Sequence, residues 1–401
     1  MFTLESVEWL ASPEGERVLA RLAGENLSDD HTLRLITSLR RDLSAERAGA
    51  ALELARLRVK AVDKFGADAS RMFFTRDALE QASDPLVRRW RSRVWIKSDT
   101  PYPMLDLCCS IGSDTAALAA AGFSVIGYDI DPIRAEMARL NLAALGLVAR
   151  IEESDITTLV PENYAMAFFD PARRDEHGNR IYNVEKYTPP LSVIDRFTLG
   201  PWAVKLSPGL QREQVQPWLA RGASLHFVSV HGDLKEATLS YWGLDGLDHS
   251  DWAWLLTEDA DLHWVITGDM PPVSISEPHA WLIEPDPALI RAGLVADAAL
   301  KFNGTQLDES IAYFTTDTKP ESPWVRAWRI LDWMPFNGKK LKAYLRERNV
   351  GTVTVKKRGT AVTPETLIPQ LKLKGSESRT LVLTRYQGQQ IVIICEDYQP
   401  E

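Results

Sequence analysis

The chain contains 401 residues, 45% of them apolar and 25% charged, which suffices for two or three compact domains and excludes a disordered composition. Its formal net charge of -9 excludes a protein that coats nucleic acid through a uniformly positive surface, but it allows a local basic groove. The first residues lack the pattern of a signal peptide, and no apolar stretch is long enough to span a bilayer, so we expect a cytoplasmic protein without a membrane anchor.

The N-terminal region is predicted to be helical. Apolar residues recur at helical spacing from Leu4 to about Ala23 and again from Ser44 to Phe65, with charged residues between them. The second stretch is dense in strong helix formers, and Ser44 is a suitable N-terminal cap. We therefore expect a helical segment over residues 1–95.

From Pro103 onward, short apolar strands alternate with helical stretches. This alternation implies a parallel sheet with right-handed crossovers, in which ligands lie beyond the C-terminal ends of the strands. The segment HGDLKEATLSYWG is predicted to turn and return as an antiparallel strand. The predicted parallel strands are MLDLCC, FSVIGYDID, YAMAFFD, WAVKLSP and SLHFVSV.

After Pro271 and Pro272 the pattern changes to shorter strands and helices, which predicts a second, α+β region. Its basic residues cluster between Lys339 and Lys374. Charge runs of this kind are often only the solvated face of a helix, and this alternative stays open.

The first strand leads into DLCCSIGSD, residues 106–114, where backbone must approach a ligand closely. Gly112 is the single glycine, so the three-glycine spacing of a dinucleotide site is missing and a nicotinamide enzyme is disfavoured. A donor without phosphates, such as S-adenosylmethionine, needs one close backbone approach and a carboxylate for its ammonium group. Asp106 can supply that carboxylate.

Two further acids follow later strands. Asp129 ends the second strand, 23 residues after Asp106, and is placed to accept hydrogen bonds from both ribose hydroxyls of an adenosine. Asp155 lies in a loop after a short strand and can accept from an adenine amino group. Each acid taken alone is more often a helix cap, as we expect for Asp131, but three acids at successive strand ends favour a binding site.

The segment FFDPARRD, residues 168–175, ends the next strand and is the catalytic candidate. Asp170 and the backbone fixed by Pro171 can orient an amino group or a ring nitrogen in line with the methyl donor. Arg173 and Arg174 suit a phosphate or the donor carboxylate, with a strand-end salt bridge as the alternative. Lys205, at the end of the fifth strand, faces the same side.

Cysteine and histidine do not form a metal-binding pattern. Cys108 and Cys109 are adjacent, Cys395 stands alone, and the seven histidines show no HxxxH spacing. This arrangement suits neither a disulfide framework nor a zinc site, so we expect no metal and a reducing compartment.

With these segments in view, the chain resembles the bacterial family of class I S-adenosylmethionine-dependent methyltransferases that carry a C-terminal THUMP-like domain. The resemblance covers most of the chain. The matching segments are MFFTRDALEQAS, LDLCCSIGSDTAALAAAG, VIGYDIDPIRAEMARLN, FFDPARRD, YTPPLS, VKLSPGL and IEPDPALIRAGL.

The resemblance implies a Rossmann-like α/β methyltransferase sheet over residues 96–270, preceded by the helical segment 1–95 and followed by an α+β THUMP-like region over 271–401. It implies S-adenosylmethionine as cofactor, and Asp170 with Pro171 in place of the motif that presents the target base. The residues assigned to the donor, with their immediate neighbours, are Thr75, Gln81, Asp106, Cys108, Ser110, Gly112, Asp129, Ile130, Asp155 and Ile156.

The sequence departs from the family pattern at two places. Cys108 and Ser110 stand where these enzymes commonly have glycine. Ala172 and Arg173 follow Pro171, where methyltransferases of nucleobase nitrogens usually have a second proline and an aromatic residue. The target atom is therefore left open.

By the same resemblance the substrate is expected to be a structured RNA such as tRNA or rRNA, because THUMP domains bind RNA in tRNA-modifying enzymes. Lys356 and Lys357 are predicted phosphate contacts. Two other hypotheses stay open: an RNA-binding protein that binds the donor without catalysis, and a methyltransferase of proteins or small molecules.

Overall fold

The structure is a computed structural model, and it describes residues 2–94, 101–161, 163–175, 177–197, 199–242, 251–265 and 271–398. These residues form two compact units. The first runs up to Leu225 and also includes the described residues from Lys235 onward to Trp242, and the second comprises His226–Leu234 and the described residues from Asp251 onward. The division into regions 1–95, 96–270 and 271–401 stays a prediction.

The first unit begins with helices that form their own apolar core. The stretch predicted as one helix from Leu4 to Ala23 is two helices, because Ser12 caps the second and Pro13 cannot continue the first. The long helix is confirmed, with the Ser44 side chain accepting from the Arg47 amide. The helices are α1 (Leu4–Leu10), α2 (Pro13–Ala23), α3 (Thr32–Leu39), α4 (Ala45–Phe65), α5 (Arg76–Gln81) and α6 (Pro85–Val94).

A mainly parallel sheet follows in the same unit, with the order β3-β2-β1-β4-β5-β7. All neighbours are parallel except β7, which runs antiparallel to β5, as predicted for the returning segment. The strands are β1 (Met104–Leu107), β2 (Val125–Asp129), β3 (Arg150–Glu153), β4 (Met166–Phe169), β5 (Trp202–Leu206) and β7 (Asp233–Tyr241), and the helices are α7 (Ser113–Ala120), α8 (Pro132–Leu145) and α9 (Gln216–Leu219).

The strand order puts β1 at the switch point of the sheet, with β2 on one side and β4 on the other. Leu107 pairs with both Tyr128 and Phe169, so the three strands end at the same level. Asp129 and Asp170 therefore lie at the same C-terminal edge of the sheet, on opposite sides of the loop after β1. Ligands of such sheets bind in the crevice at this edge.

The N-terminal helices are fixed to this edge through Asn141 of α8. The Asn141 amide is fully buried, accepting from the Phe73 amide at 2.6 Å and donating to the carbonyls of Phe73 and Ile111 at 3.0 and 2.9 Å. Ile111 and Met137 also belong to the apolar core of the helices. The segment that leads into α5 is thus held next to the loop after β1.

The second unit contains the strands β6 (Ser224–Val230, from His226 onward), β8 (Trp252–Leu256) and β9 (Asp261–Val265), and a separate sheet ordered β11-β12-β10-β13-β16-β15-β14. Two helices, α12 and α13, pack on that sheet through Leu341, Leu345, Leu367 and Leu371. Its strands are β10 (Trp281–Pro285), β11 (Thr305–Gln306), β12 (Phe314–Thr316), β13 (Val325–Pro335), β14 (Val350–Lys357), β15 (Glu377–Tyr386) and β16 (Gln389–Cys395), and its helices are α10 (Pro287–Arg291), α11 (Val295–Lys301), α12 (Gly338–Glu347) and α13 (Pro364–Leu371).

In the ranges described above, every helix is too short or too polar to cross a bilayer.

Candidate active site at the strand ends

The loop after β1 turns through three left-handed residues. Cys108, Ser110 and Gly112 have φ values of 65°, 53° and 77°. Glycine adopts this region without cost, whereas residues with a Cβ adopt it at a cost in conformational energy. Cys108 and Ser110 therefore hold a backbone conformation that favours glycine, which the sequence had indicated only for Gly112.

Asp106 lies at the end of β1 and is completely buried. Its Oδ2 accepts a hydrogen bond from the Thr115 hydroxyl, but its Oδ1 is buried without any hydrogen-bond partner. Burial raises the pKa of Asp106 to about 7, and the charges of Asp114 and Asp170 act in the same direction. Because an unpaired buried carboxylate oxygen is costly, this atom is suited to a cationic donor supplied by a ligand.

Asp129 ends β2, and its carboxylate links the loop after β1 to the loop after β2. Its Oδ2 accepts from the Ser110 amide at 2.8 Å, and its Oδ1 accepts from the Asp131 amide at 3.0 Å. A carboxylate has about four acceptor positions, so roughly two remain for a ligand such as a ribose diol. Burial also raises the pKa of Asp129. The adjacent Ile130 side chain is 66% exposed and offers an apolar surface beside the carboxylate.

The acids at the ends of the three neighbouring strands converge on one place, as the Cys108 thiol shows. Burial raises the pKa of this thiol well above its ordinary value, and Asp129, Asp170 and Asp106 are the charges that raise it further. All three carboxylates are thus close enough to act on a single sulfur. They therefore lie around the Cys108 thiol, at the C-terminal ends of three neighbouring strands.

Asp155 follows β3 and makes a local turn. Its Oδ1 accepts from both the amide and the hydroxyl of Thr157 at 2.8 Å. Asp155 thus closes a turn over residues 156–158 and does not cap a helix, which was the alternative left open by the sequence. Ile156 is buried beside it. The contacts of Asp155 and Ile156 with a donor stay a prediction.

Asp170, immediately after β4, forms an ion pair with Lys205 of β5. The Lys205 Nζ lies 2.8 Å from the Asp170 Oδ2 and also donates to the Gln81 carbonyl at 3.2 Å. The Lys205 side chain is 4% exposed and that of Asp170 is 24% exposed, so the carboxylate is the member of the pair that a substrate can reach. Gln81 is brought to the site through its main chain.

The rest of the predicted catalytic segment lies in the loop that leaves β4. Pro171 is buried, and Ala172 pairs with Thr188 through two backbone hydrogen bonds. The Arg173 side chain is half-buried, whereas Arg174 is exposed and donates to the Gly178 carbonyl at 2.8 Å. Thr75 caps α5 by accepting from the Ala78 amide at 3.2 Å. The ligand contacts of these residues stay predictions.

A buried charge cluster that the sequence did not predict supports the site. Arg91 of α6 pairs with Asp114 at the start of α7 and with Glu236 of β7, and its guanidinium carbon lies 4.3 Å from the centre of the Phe168 ring. Although burial acts the other way, the two carboxylates raise the pKa of Arg91. The partners are 23 and 145 residues away, and no local pattern signals their pairing.

The two lysines predicted to contact RNA differ in their surroundings within the second unit. Lys356 donates to Glu284 at 2.5 Å, and its Nζ lies 4.1 Å from the centre of the Trp328 ring. Lys357 is exposed on the opposite face of β14, because successive side chains of a strand alternate. Lys357 is thus free to meet a phosphate, whereas Lys356 already has an internal partner.

The described residues contain no group of three or more histidine, cysteine or acidic side chains arranged to hold a metal ion. They do fit a sulfonium nucleoside. Asp106 would hold the ammonium group and Asp129 the ribose hydroxyls, while the left-handed loop lets backbone approach between them.

Comparison with known proteins identifies the family, whereas the roles of the individual site residues stay predictions. A family described as THUMP domain-like matches residues 325–397, and a domain family of unknown function matches residues 3–61. An uncharacterised S-adenosylmethionine-dependent methyltransferase of Mycobacterium tuberculosis H37Rv is 33% identical over 348 residues, which cover 85% of this chain and 93% of the relative. An uncharacterised RNA methyltransferase of Parasynechococcus marenigrum is 39% identical over 135 residues, or 31% of this chain and 29% of the relative.

One crystal structure is similar to this chain over nearly its whole length. A candidate methyltransferase of Porphyromonas gingivalis W83 is 20% identical in sequence, has a TM-score of 0.75, and aligns over 96% of this chain and 99% of its own. At this identity the likeness establishes a shared fold.

Proposed function

The chain belongs to the S-adenosylmethionine-dependent methyltransferases with a Rossmann-like fold and a THUMP-like C-terminal region, and from that premise we propose that it methylates a nitrogen of a structured RNA. The cofactor, S-adenosylmethionine, is the one that the sequence predicted. When bound, it supplies a methyl group on a sulfonium, which a nucleophile with a lone pair attacks in line.

The observation that carries the proposal is that Asp106, Asp129 and Asp170 lie at the ends of three neighbouring strands, each close enough to act on the Cys108 thiol. Two of these acids suit the donor, since one offers an unpaired buried oxygen and the other has free acceptor positions. The third lies beyond β4, on the other side of β1 from Asp129. Donor and acceptor groups thus have separate carboxylates at adjacent strand ends.

Asp170 is the group that would orient the acceptor. Its ion pair with the buried ammonium of Lys205 holds the carboxylate in place. A charged carboxylate accepts a hydrogen bond from an amino or ring N–H and so points the nitrogen lone pair at the donor. The same carboxylate can hold the proton that the nitrogen loses after transfer.

The cysteines favour a nitrogen or oxygen acceptor over the C5 carbon of a pyrimidine. Methylation of that carbon requires a thiolate that first adds to the ring. The sequence has three cysteines, and in each the pKa of the thiol is raised by burial, so that Cys108, Cys109 and Cys395 stay protonated at neutral pH. The acceptor must then bring its own lone pair.

Support for RNA as substrate comes from the second unit and from one relative. The THUMP-like region carries a basic surface, and partial desolvation together with the like charges of Arg346 and Lys372 lowers the pKa of Lys342. Clustered cations that repel one another are stabilised by a polyanion. The partial match to an RNA methyltransferase agrees with this choice. The exposed members of the surface are Lys339, Lys340, Arg346, Arg348, Lys357, Lys372 and Lys374.

The test is incorporation of label from tritiated methyl donor into RNA from a strain that lacks this protein, followed by nucleoside analysis. We expect a labelled methyl group on a base nitrogen, and less label with the Asp129→Ala variant at the same donor concentration. Label confined to protein or to small molecules would overturn RNA as the substrate, and label on pyrimidine C5 would overturn the nitrogen acceptor.

Binding of RNA can be tested separately from catalysis. Reversal of Lys357 and Lys372 to glutamate should weaken RNA binding. It should also make the slope of log affinity against log salt concentration shallower, by about 0.7 to 0.9 for each phosphate that the protein no longer neutralises. The two lysines are reversed one at a time, and the matched control for each is Lys60→Glu, an equal charge change at an exposed lysine of α4 in the other unit. If Lys60→Glu weakens RNA binding as much as the reversals at Lys357 and Lys372 do, the effect is one of net charge and the basic surface is not the RNA site.

A further inference from the structure

The second unit contains a cavity of about 790 Å³ that the methyltransferase site does not use. It is lined by residues from β10, β13 and the turn before β7, among them Gly232, Glu284, Asp286, Trp324, Arg326 and Tyr398. This volume lies within the range of about 300 to 1,000 Å³ that is common for small-molecule sites, and it is far larger than a metal ion needs.

Asp286 gives the cavity an acceptor that the protein itself does not satisfy. The residue is 5% exposed and caps α10, with its Oδ1 accepting from the Ser229 hydroxyl and the Ala288 amide, both at 2.7 Å. Its Oδ2 is buried and has no hydrogen-bond partner. Capping explains the first oxygen only, and native proteins rarely leave a buried carboxylate oxygen unpaired.

Arg326 gives the same cavity a cation that is not neutralised. Within the described residues its exposed guanidinium has no ion pair or hydrogen bond, although its charge acts on Asp286. It lies against Gly232, where a Cβ would come within 2.7 Å of the Arg326 Nη2. The neighbouring carboxylate of Glu284 is different, since Lys356 and Arg358 both pair with it.

We propose that this cavity binds one nucleotide, whose base donates an exocyclic amino hydrogen to the Asp286 Oδ2 and whose phosphate pairs with Arg326. A nucleotide combines a neutral N–H donor, a flat ring and an anion, which matches an unpaired acceptor, an aromatic lining and an unpaired cation. Tyr398, 42% exposed, and Trp324 supply the aromatic surface. This inference rests on the proposed RNA substrate, and it names a second place where that RNA would be held.

The chemistry of the acceptor predicts which bases bind. Adenine, cytosine and guanine each present an amino group, which a carboxylate oxygen can accept. Uracil presents a single ring N–H between two carbonyl oxygens, and these would face the negative charge of Asp286. The cavity should therefore prefer the three amino bases to uracil.

The experiment is calorimetric titration of the full chain with AMP, GMP, CMP and UMP. The protein is saturated with S-adenosylhomocysteine so that the methyltransferase crevice cannot contribute. We expect the three amino nucleotides to bind at least about tenfold more tightly than UMP, as for one hydrogen bond to a charged group. The Asp286→Asn variant should lose this preference or shift it to UMP, because its amide can keep both bonds to Oδ1 while presenting an N–H in place of Oδ2.

Arginine variants test the phosphate contact. Arg326→Ala should weaken the binding of all four nucleotides by a similar factor. Because Arg326 is exposed, we expect the variant to keep its fold, which thermal unfolding would check. Arg329→Ala is the matched control, since Arg329 is an exposed arginine of the same strand that does not line the cavity. Thermal unfolding should show that the Asp286→Asn variant folds normally.

Three results would overturn the inference: no nucleotide binding, binding that both the Asp286→Asn and Arg326→Ala variants leave unchanged, or binding of free amino acids without nucleotides. Its failure is distinct from that of the proposed function. Nucleotide binding by a chain that does not methylate RNA would refute the function alone, and methylation of RNA without nucleotide binding would refute the cavity alone.

Discussion

The buried ammonium of Lys205 donates to the Asp170 carboxylate at 2.8 Å from the neighbouring strand. This pairing places a fixed negative charge at the end of β4, on the side of the crevice away from Asp129. The partner is buried and the carboxylate is not, so the charge is held in place and is accessible.

Replacing Asp170 with Asn should lower kcat by roughly 100-fold or more while leaving donor affinity nearly unchanged, because the substituted group acts on the acceptor and its proton. The measurement is methyl transfer at saturating donor, together with donor binding by calorimetry. Asp175→Asn is the control, since Asp175 lies in the same loop but is exposed and caps residues 177–179. A parallel loss of donor binding would show that Asp170 belongs to the donor site.

Replacing Asp129 with Ala should weaken donor binding by about 1 to 3 kcal/mol. The reason is that alanine lacks the charged carboxylate that would accept hydrogen bonds from the ribose hydroxyls. Donor affinity is measured by calorimetry. Asp131→Ala is the matched control. Asp131 caps α8, so its loss should cost about 1 kcal/mol of stability and spare the donor. Equal donor affinity in the Asp129→Ala variant and the unmodified chain would refute the assignment of the ribose contact.

The pKa of Asp106 makes donor binding dependent on pH. In the folded chain this pKa is about 7, above the ordinary value of 3.8, so the folded state holds the proton more tightly than the unfolded chain. The contribution of this group to the free energy of unfolding should therefore fall as the pH rises from about 4 to about 7. A bound ammonium favours the carboxylate, so donor affinity should instead rise over the upper part of that range.

The measurement is calorimetry at about pH 6 and about pH 8 in two buffers with different ionisation enthalpies, which should show proton release at the lower pH. The Asp106→Asn variant should bind the donor weakly at both pH values and release no proton. Proton release that persists in this variant would assign the titration to another group, of which Asp129 is the first candidate, since its pKa is also raised.

Replacing Gly112 with Ala should destabilise the chain by more than the same change at Gly146. Both glycines are left-handed, at φ +77° and +70°, so each substitution should cost about 1 kcal/mol in backbone conformation. A Cβ at Gly112 would also come within 3.1 Å of the Ala138 Cβ, whereas at Gly146 nothing lies within 4 Å. Denaturant unfolding measures the difference, and equal losses would show that the loop after β1 can shift away from α8.

The local elements were largely predictable because their signals are local. Ser44 caps α4 and Asp131 caps α8, as their positions before apolar periodic stretches indicated. The break between α1 and α2 was missed, because the helical periodicity on both sides of Pro13 is continuous enough to hide it. The left-handed backbone of Cys108 and Ser110 was also missed, since neither residue type signals that conformation.

By itself, the sequence determined which residues follow each strand, and therefore that Asp106, Asp129 and Asp170 would meet at one edge of a parallel sheet. The tertiary structure decided which of their oxygen atoms are satisfied and which are left for a ligand. It also paired Lys356 with Glu284, 72 residues away, and Arg91 with Glu236, 145 residues away. The physical reason is that strand ends are set by neighbouring residues, whereas burial and hydrogen-bond partners depend on side chains that only the folded chain brings together.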